Sequence, residues 1–255
     1  MSELDRLQLQ SRVWEPAGRR LLAEIGDGAG RRAVDVGCGC LGWLRVLREW
    51  VGPAGTVVGT DIAPELLDAA RQLVASEGHA NVELVQDDVF ASRLPPHSFD
   101  LVHARFQLAP LGRADEQLAA LRRLVAPGGL LVLEDPDTAS WRFDPPAPAA
   151  ERLVDLIRDA FLAAGGDVDA GRTEYELLRV SGLEPSLRAD IEALEPGHPY
   201  LRLPIQFAAS LRPRLLGMAA EAELDDLLAE VEAEVAAPNR RGLTFTLVQT
   251  WARCP

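Results

Sequence analysis

Over the first 137 residues of this 255-residue chain, short apolar runs alternate with stretches of helical periodicity. Residues 33–37 (AVDVG), 56–60 (TVVGT), 82–86 (VELVQ), 100–104 (DLVHA) and 130–134 (LLVLE) read as five strands. Strands separated by helices in this way imply a parallel sheet with crossover helices. Pro64 sits where a helix begins, and there its missing N–H costs nothing. Leu66, Leu67, Ala70, Leu73 and Val74 follow at helical spacing, and Leu118, Leu121, Leu124 and Val125 line one face of a helix over 115–125. Pro127-Gly128-Gly129 ends that helix before the fifth strand.

Beyond residue 140 the pattern changes. Pro145, Pro146 and Pro148 mark a loop, and 151–164 reads as an amphipathic helix carrying Leu153, Val154, Leu156, Ile157 and Phe161. A sixth strand is expected within 183–194, helices over 201–218 and 221–235, and a closing strand over 242–252 (GLTFTLVQTWA).

Composition removes several chemistries. All 26 basic residues are Arg, so there is neither a Schiff-base lysine nor a P-loop lysine. The formal net charge of −13 disfavours general binding to nucleic acid, whose phosphates such a surface repels. Cys38, Cys40 and Cys254 make no disulfide framework, and His79, His97, His103 and His198 are scattered, so no metal site is expected. No apolar run approaches the roughly 20 residues of a membrane span, and residues 1–10 lack a signal-peptide core. The expectation is a cytoplasmic protein with no membrane contact.

In an open α/β sheet, ligands bind beyond the carboxyl ends of the strands. The first strand runs into Gly37-Cys38-Gly39-Cys40-Leu41-Gly42, a turn that lets backbone approach a ligand closely. Asp61 ends the second strand, 22 residues after Gly39, where a carboxylate can accept both hydroxyls of a ribose. Its alternative role is to cap the helix at Pro64. Asp87-Asp88 ends the third strand, where an exocyclic amine or plain solvent are the alternatives.

Together these features resemble class I S-adenosylmethionine (SAM)-dependent methyltransferases. AVDVGCGCLG resembles their first motif, GTDIAPELL the second, VQDDVF the third, SFDLVHAR the fourth and LRRLVAPGGLLVLED the fifth, over roughly residues 30–137. The first motif departs from the family in placing its third glycine at Gly42, where Leu41 takes the usual glycine position. The resemblance implies an α/β fold. Its core is a Rossmann-like, seven-stranded, mostly parallel sheet with helices on both faces and a helical cap before the last strand. The implied division is an N-terminal helical lid over 1–28 and a domain over 29–255, with 198–238 as the cap. It also implies SAM as cofactor, bound by Gln10, Asp35, Gly37, Cys38, Gly39, Asp61, Ile62, Asp88, Val89, Ala104 and Arg105. Gln10 and Arg12 are candidates for the methionine carboxylate, an ordinary surface helix being the alternative.

The implied reaction is methyl transfer to an oxygen or nitrogen of a small molecule. His103, Glu134 and Asp135 are the catalytic candidates at the ends of the fourth and fifth strands, against structural roles for each. His198, Tyr200, Gln206 and Phe207 are candidates for the cap's wall. The stripe Leu203, Phe207, Leu211, Leu215 and Met218 suits either that pocket or a homodimer contact. Two rivals remain. One is a SAM-binding protein that does not methylate, such as a cyclase. The other is a nicotinamide enzyme, since Gly37, Gly39 and Gly42 also satisfy G-x-G-x-x-G. Asp35, Asp88 and the Pro-Gly-Gly before the fifth strand favour SAM.

Overall fold

The computed structural model describes residues 3–78 and 80–255. Helix α1 (Glu3–Ile25) leads into β1 (Arg32–Val36), α2 (Leu44–Val51), β2 (Thr56–Asp61), α3 (Pro64–Ser76) and β3 (Val82–Gln86). Next come β4 (Phe99–Arg105), the short α4 (Leu108–Leu111), α5 (Ala114–Leu124) and β5 (Val125–Asp137). The second half contains β6 (Arg142–Asp144), α6 (Pro148–Ala163), α7 (Gly171–Val180), β7 (Ser186–Asp190) and β8 (Ala193–Leu194). It ends with α8 (Leu203–Leu215), α9 (Glu221–Val235), β9 (Arg241–Leu243) and β10 (Thr246–Arg253).

Seven strands form one sheet in the order β3-β2-β1-β4-β5-β10-β7. The first five pair in parallel, and β10 runs antiparallel to both β5 and β7. The order reverses between β1 and β4, which opens a crevice beyond their carboxyl ends. The seven-stranded, mostly parallel sheet implied by the motifs is therefore present. A second sheet of three short strands, β6-β9-β8, lies beside it.

Alternation along the strands divides the core. Val34, Val36, Val102, Ala104, Leu131 and Leu133 pack with Leu118, Leu121 and Leu124 of α5 and Leu178 of α7. Their neighbours Ala33, Leu101, Leu130 and Val132 pack on the other face with α1, α2 and α3 through Leu21, Leu44, Leu47 and Leu67. A third cluster joins α1 to the cap: Trp14 and Ala17 meet Leu153, Ile157 and Phe161 of α6, Leu215 of α8 and Val231 of α9. Each fully buried leucine contributes roughly 2 kcal/mol.

Two sequence expectations change here. The run over 242–252 is divided: β9 joins the side sheet, and β10 starts only at Thr246. Between them Phe245 turns into the cap cluster, its ring 5.2 Å from Trp14 and 5.7 Å from Phe106. Helix α7 was not expected. Its ten residues hold a fully buried Glu174, which hides the amphipathic pattern.

Candidate functional site

The carboxyl ends of β1, β2 and β4, the inner face of α1 and the cap enclose a cavity of about 340 Å³. Its floor is the turn after β1, with Gly37, Cys38, Gly39, Cys40 and Gly42. Gly39 has φ +56° and only open space where a side chain would stand. Gly42 has φ +45°, and a Cβ there would come 2.6 Å from the Cys38 carbonyl and collide with the Asp35 carboxylate. The glycine displaced by one position is thus required by close packing.

Asp35 lines the cavity and is pinned: Oδ2 accepts from the Trp43 amide at 2.6 Å, and Oδ1 lies 2.7 Å from His103 Nδ1. Asp61 also lines it. One oxygen accepts from the Gly39 amide and the other from the Ala63 amide, each at 2.9 Å. Asp61 therefore secures the glycine turn and the start of α3 together, while its remaining lone pairs stay available to a diol.

Asp88, Val89 and Ile62 lie outside the enclosed cavity, at the neighbouring ends of β2 and β3. Asp61 pairs with Gln86, so Asp88 begins just past the register of Asp61. Its carboxylate caps a short turn by accepting from the Phe90 amide at 2.9 Å. Ile62 is 63% exposed. Ala104 is buried in the core face against α5 and does not line this cavity.

The N-terminal helix supplies one wall. Gln10 lines the cavity and accepts from Arg6 at 2.7 Å. Arg6 also pairs with Glu3 and lies 4.8 Å over the Phe207 ring. Arg12 is exposed and absent from the cavity, which corrects the expectation that it reaches a cofactor carboxylate; helical spacing turns it outward. Arg6, two turns earlier and on the inner face, was not singled out in the sequence.

Arg105 is the most informative side chain here. It is 92% buried by its 8% exposure and lines the cavity. Nη2 donates to Ser11 Oγ at 3.4 Å and to the Gly42 carbonyl at 3.3 Å, and Nε lies 3.9 Å from Glu134. Nη1 has no partner. A buried guanidinium nitrogen without a partner, on a residue that lines the cavity, suits an anionic ligand group. Gln107, also missed in the sequence, packs beside Gly37. Between them Phe106 adopts φ +56°, an unusual backbone state for a phenylalanine.

The three catalytic candidates do not face this cavity. His103 is fully buried, with Nδ1 on Asp35 and Nε2 3.2 Å from Glu134, and it stacks on Trp43 with ring centres 3.8 Å apart. Glu134 is fully buried between His103 and Gln249. Asp135 projects to the other face of β5, where it accepts from the Leu108 and Ala109 amides at 3.1 and 2.9 Å. The expectation that these groups move protons at an acceptor is corrected by this burial and saturation. Burial pushes the Asp135 carboxyl up to about 7, and neighbouring Glu174 is raised as well, first by burial and then by Asp135.

The cavity's far wall is apolar: Trp141, Ile157, Phe161, Phe207, Leu211 and Phe245. Of the expected cap residues only Phe207 lines it. Tyr200 is buried and accepts from Trp14 at 3.2 Å, His198 caps its own turn, and Gln206 is buried within α8. In the helical stripe, Phe207 and Leu211 face the cavity, Leu203 and Leu215 are core, and Met218 is 43% exposed. Among the described residues no cluster could hold a metal ion, and no helix is long and apolar enough to cross a membrane.

Comparison with known proteins agrees with this arrangement. A family profile described as a methyltransferase domain matches residues 33–129. A demethylmenaquinone methyltransferase of Geobacillus kaustophilus is 36% identical over 103 residues, 40% of this chain and 44% of that protein. The match therefore spans under half of that relative's length. A demethylmenaquinone methyltransferase of Staphylococcus aureus is 29% identical over 68% of this chain and 67% of its own. Among solved structures, a methyltransferase-like protein of Bacillus halodurans has a TM-score of 0.60 at 17% identity, over 93% of this chain and 98% of that one. A phosphoethanolamine N-methyltransferase of Haemonchus contortus, solved with S-adenosylhomocysteine, has a TM-score of 0.55 at 17% identity, over 94% of this chain and 53% of that one. The [4+2]-cyclase SpnF has a TM-score of 0.55 at 20% identity, over 93% of this chain and 80% of that one. These likenesses concern the fold.

Proposed function

We propose that this chain, a class I SAM-dependent methyltransferase, methylates a small, largely apolar molecule bearing an electron-rich ring. The residues fit the cofactor on two observations: the orphaned Arg105 Nη1 and the open space over Gly39. When bound, SAM supplies a sulfonium-activated methyl group for direct displacement by the acceptor.

Each residue then has a defined task. The backbone of Gly37, Cys38 and Gly39 forms the floor under the cofactor, and Asp35 and Asp61 hold that floor in shape. Asp61 accepts the ribose hydroxyls with its free lone pairs. Ile62, Asp88 and Val89 form the lip for the adenine. Arg105 and Gln10 meet the amino-acid end. Helix α1 and the cap exclude water from the apolar chamber.

One observation carries the substrate reading: the polar rim and the aromatic wall belong to the same cavity. Every carboxylate lining it is already engaged, Glu3 by Arg6, Asp35 by His103 and Asp61 by two amides. The acceptor must therefore be nucleophilic without a strong base from the protein. A phenol or hydroquinone meets that demand once it has lost its acidic proton to solvent: the phenolate attacks at its oxygen, or at the activated ring carbon with later loss of that carbon's proton, and S-adenosylhomocysteine departs. The demethylmenaquinone named in those relatives is a quinone, and its reduced, hydroquinone form is of this kind. The test follows transfer of labelled methyl from SAM to a panel of hydroquinones, phenols and alkylamines. Labelling of ring substrates is expected. Labelling of amines alone overturns the substrate class, and SAM binding without any transfer overturns the enzymatic reading.

A further inference from the structure

Asp35, His103, Glu134 and Gln249 form a buried row across β1, β4, β5 and β10. Asp35 pairs with His103 in the β1–β4 register, and Glu134 pairs with Arg105 on β4 and with Gln249 on β10. The imidazole thus lies between two carboxylates, 2.7 Å from one and 3.2 Å from the other. A neutral imidazole has one N–H. One of the two contacts would then set lone pair against lone pair in a site without water access. An imidazolium donates to both.

Two further observations agree. The Trp43 indole lies face to face with the ring, at an interplanar angle of 14°, as an aromatic face receives a cation. With His103 protonated, the buried set of Asp35, His103, Glu134 and Arg105 is electrically balanced; without that proton it carries a net negative charge. Burial opposes a charge at His103, but the facing Asp35 and Glu134 outweigh it and raise the pKa above the ordinary value. Across the sheet, the buried Asp135 and Glu174 also interact electrostatically with Glu134.

We propose that His103 is a fixed imidazolium and a positioning residue. It locks the Asp35 that braces the glycine turn to the Glu134 beside Arg105, and so fixes the Arg105 guanidinium that lines the site for the carboxylate of the cofactor's amino-acid end. This rests on the cofactor placement given above. The ion ladder runs from the floor of the site to Arg105 without touching the reacting atoms.

The experiment combines nitrogen-15 NMR of the histidine rings with two ligands that differ only in the amino-acid end. In the wild-type chain, His103 is expected to keep both ring protons from about pH 6 to about pH 8, where a free histidine loses one. A ring with a single N–H at neutral pH overturns the proposal. In E134Q the amide can donate to Nε2, so the ring is expected to titrate within that range; an unchanged ring overturns the coupling. For H103Q, S-adenosylhomocysteine is expected to bind about tenfold more weakly, while 5′-methylthioadenosine, which lacks the carboxylate, changes less than about twofold. Equal losses for both ligands show that His103 only holds the turn and overturn its positioning role. If the wild-type chain binds neither ligand, the proposed function fails, and the NMR result still decides the charge on His103.

Discussion

The two halves of this chain build one cavity by different physics. The half up to residue 137 forms its side from backbone turns and carboxylates fixed by short hydrogen bonds, as at Asp35 and Asp61. The half beyond it forms its side from Trp141, Phe161, Phe207 and Phe245, which meet in two edge-on pairs and make few directional bonds. Directional bonds define one ligand shape closely. Aromatic walls accept many apolar shapes at similar cost. One half is therefore suited to a constant cofactor and the other to a changing acceptor.

Substitutions can break that division. The largest effect is expected for Gly42→Val, which forces a side chain into the Asp35 carboxylate and the Cys38 carbonyl at a positive φ. Overpacking costs about 1–3 kcal/mol before backbone strain is added, so calorimetry is expected to show S-adenosylhomocysteine binding lost by about a hundredfold or more. Asp61→Ala removes an acceptor from two backbone amides and from the ribose, and a loss of about 1–3 kcal/mol in the same titration is expected. Retained affinity in both variants would remove the polar half from the cofactor site.

Phe207→Ala sharpens the comparison from the other side. It is expected to raise the KM for a ring acceptor about tenfold and to change cofactor affinity less than about twofold. Equal effects on both would mean that the two halves are not separable.

The pH dependence of stability concerns neither wall. Asp135, pushed up to about 7 by burial, keeps its proton in the folded chain where the unfolded chain has lost it. The folded state then binds more protons between about pH 4 and about 7, so the contribution of Asp135 to stability falls as pH rises through that window and levels off above it. Glu174→Gln removes a second buried acid raised in the same direction and is expected to flatten the fall in melting temperatures measured across it. The smallest effect is expected for exposed Arg12→Ala, within about 0.5 kcal/mol in denaturant unfolding.

The sequence exposes the two halves unequally for the same reason. Strand, glycine turn and terminal acid form a local grammar, so the floor residues Gly37, Gly39 and Asp61 can be read from spacing. Depth along a strand is not so readable. Alternation puts His103 and Arg105 on one side of β4, but two residues amount to about 6–7 Å, which separates a cavity wall from a sealed interior. Asp135 differs from Glu134 by a single step and therefore faces the opposite layer. In the cap, Phe207 and Tyr200 look equivalent as aromatic residues on a helical segment. Only the docking of Trp14 from the distant N-terminus decides that Tyr200 is core.

The face-to-face seat of Trp43 on His103 has an optical consequence. An imidazolium touching an indole drains its excited state, so Trp43 should emit dimly while the neighbouring ring is cationic and brighten when that charge is lost. The chain thus holds a native fluorophore beside the middle of its ion ladder, and the difference in emission between the wild type and W43F, which leaves Trp14, Trp50, Trp141 and Trp251, follows that charge without a label.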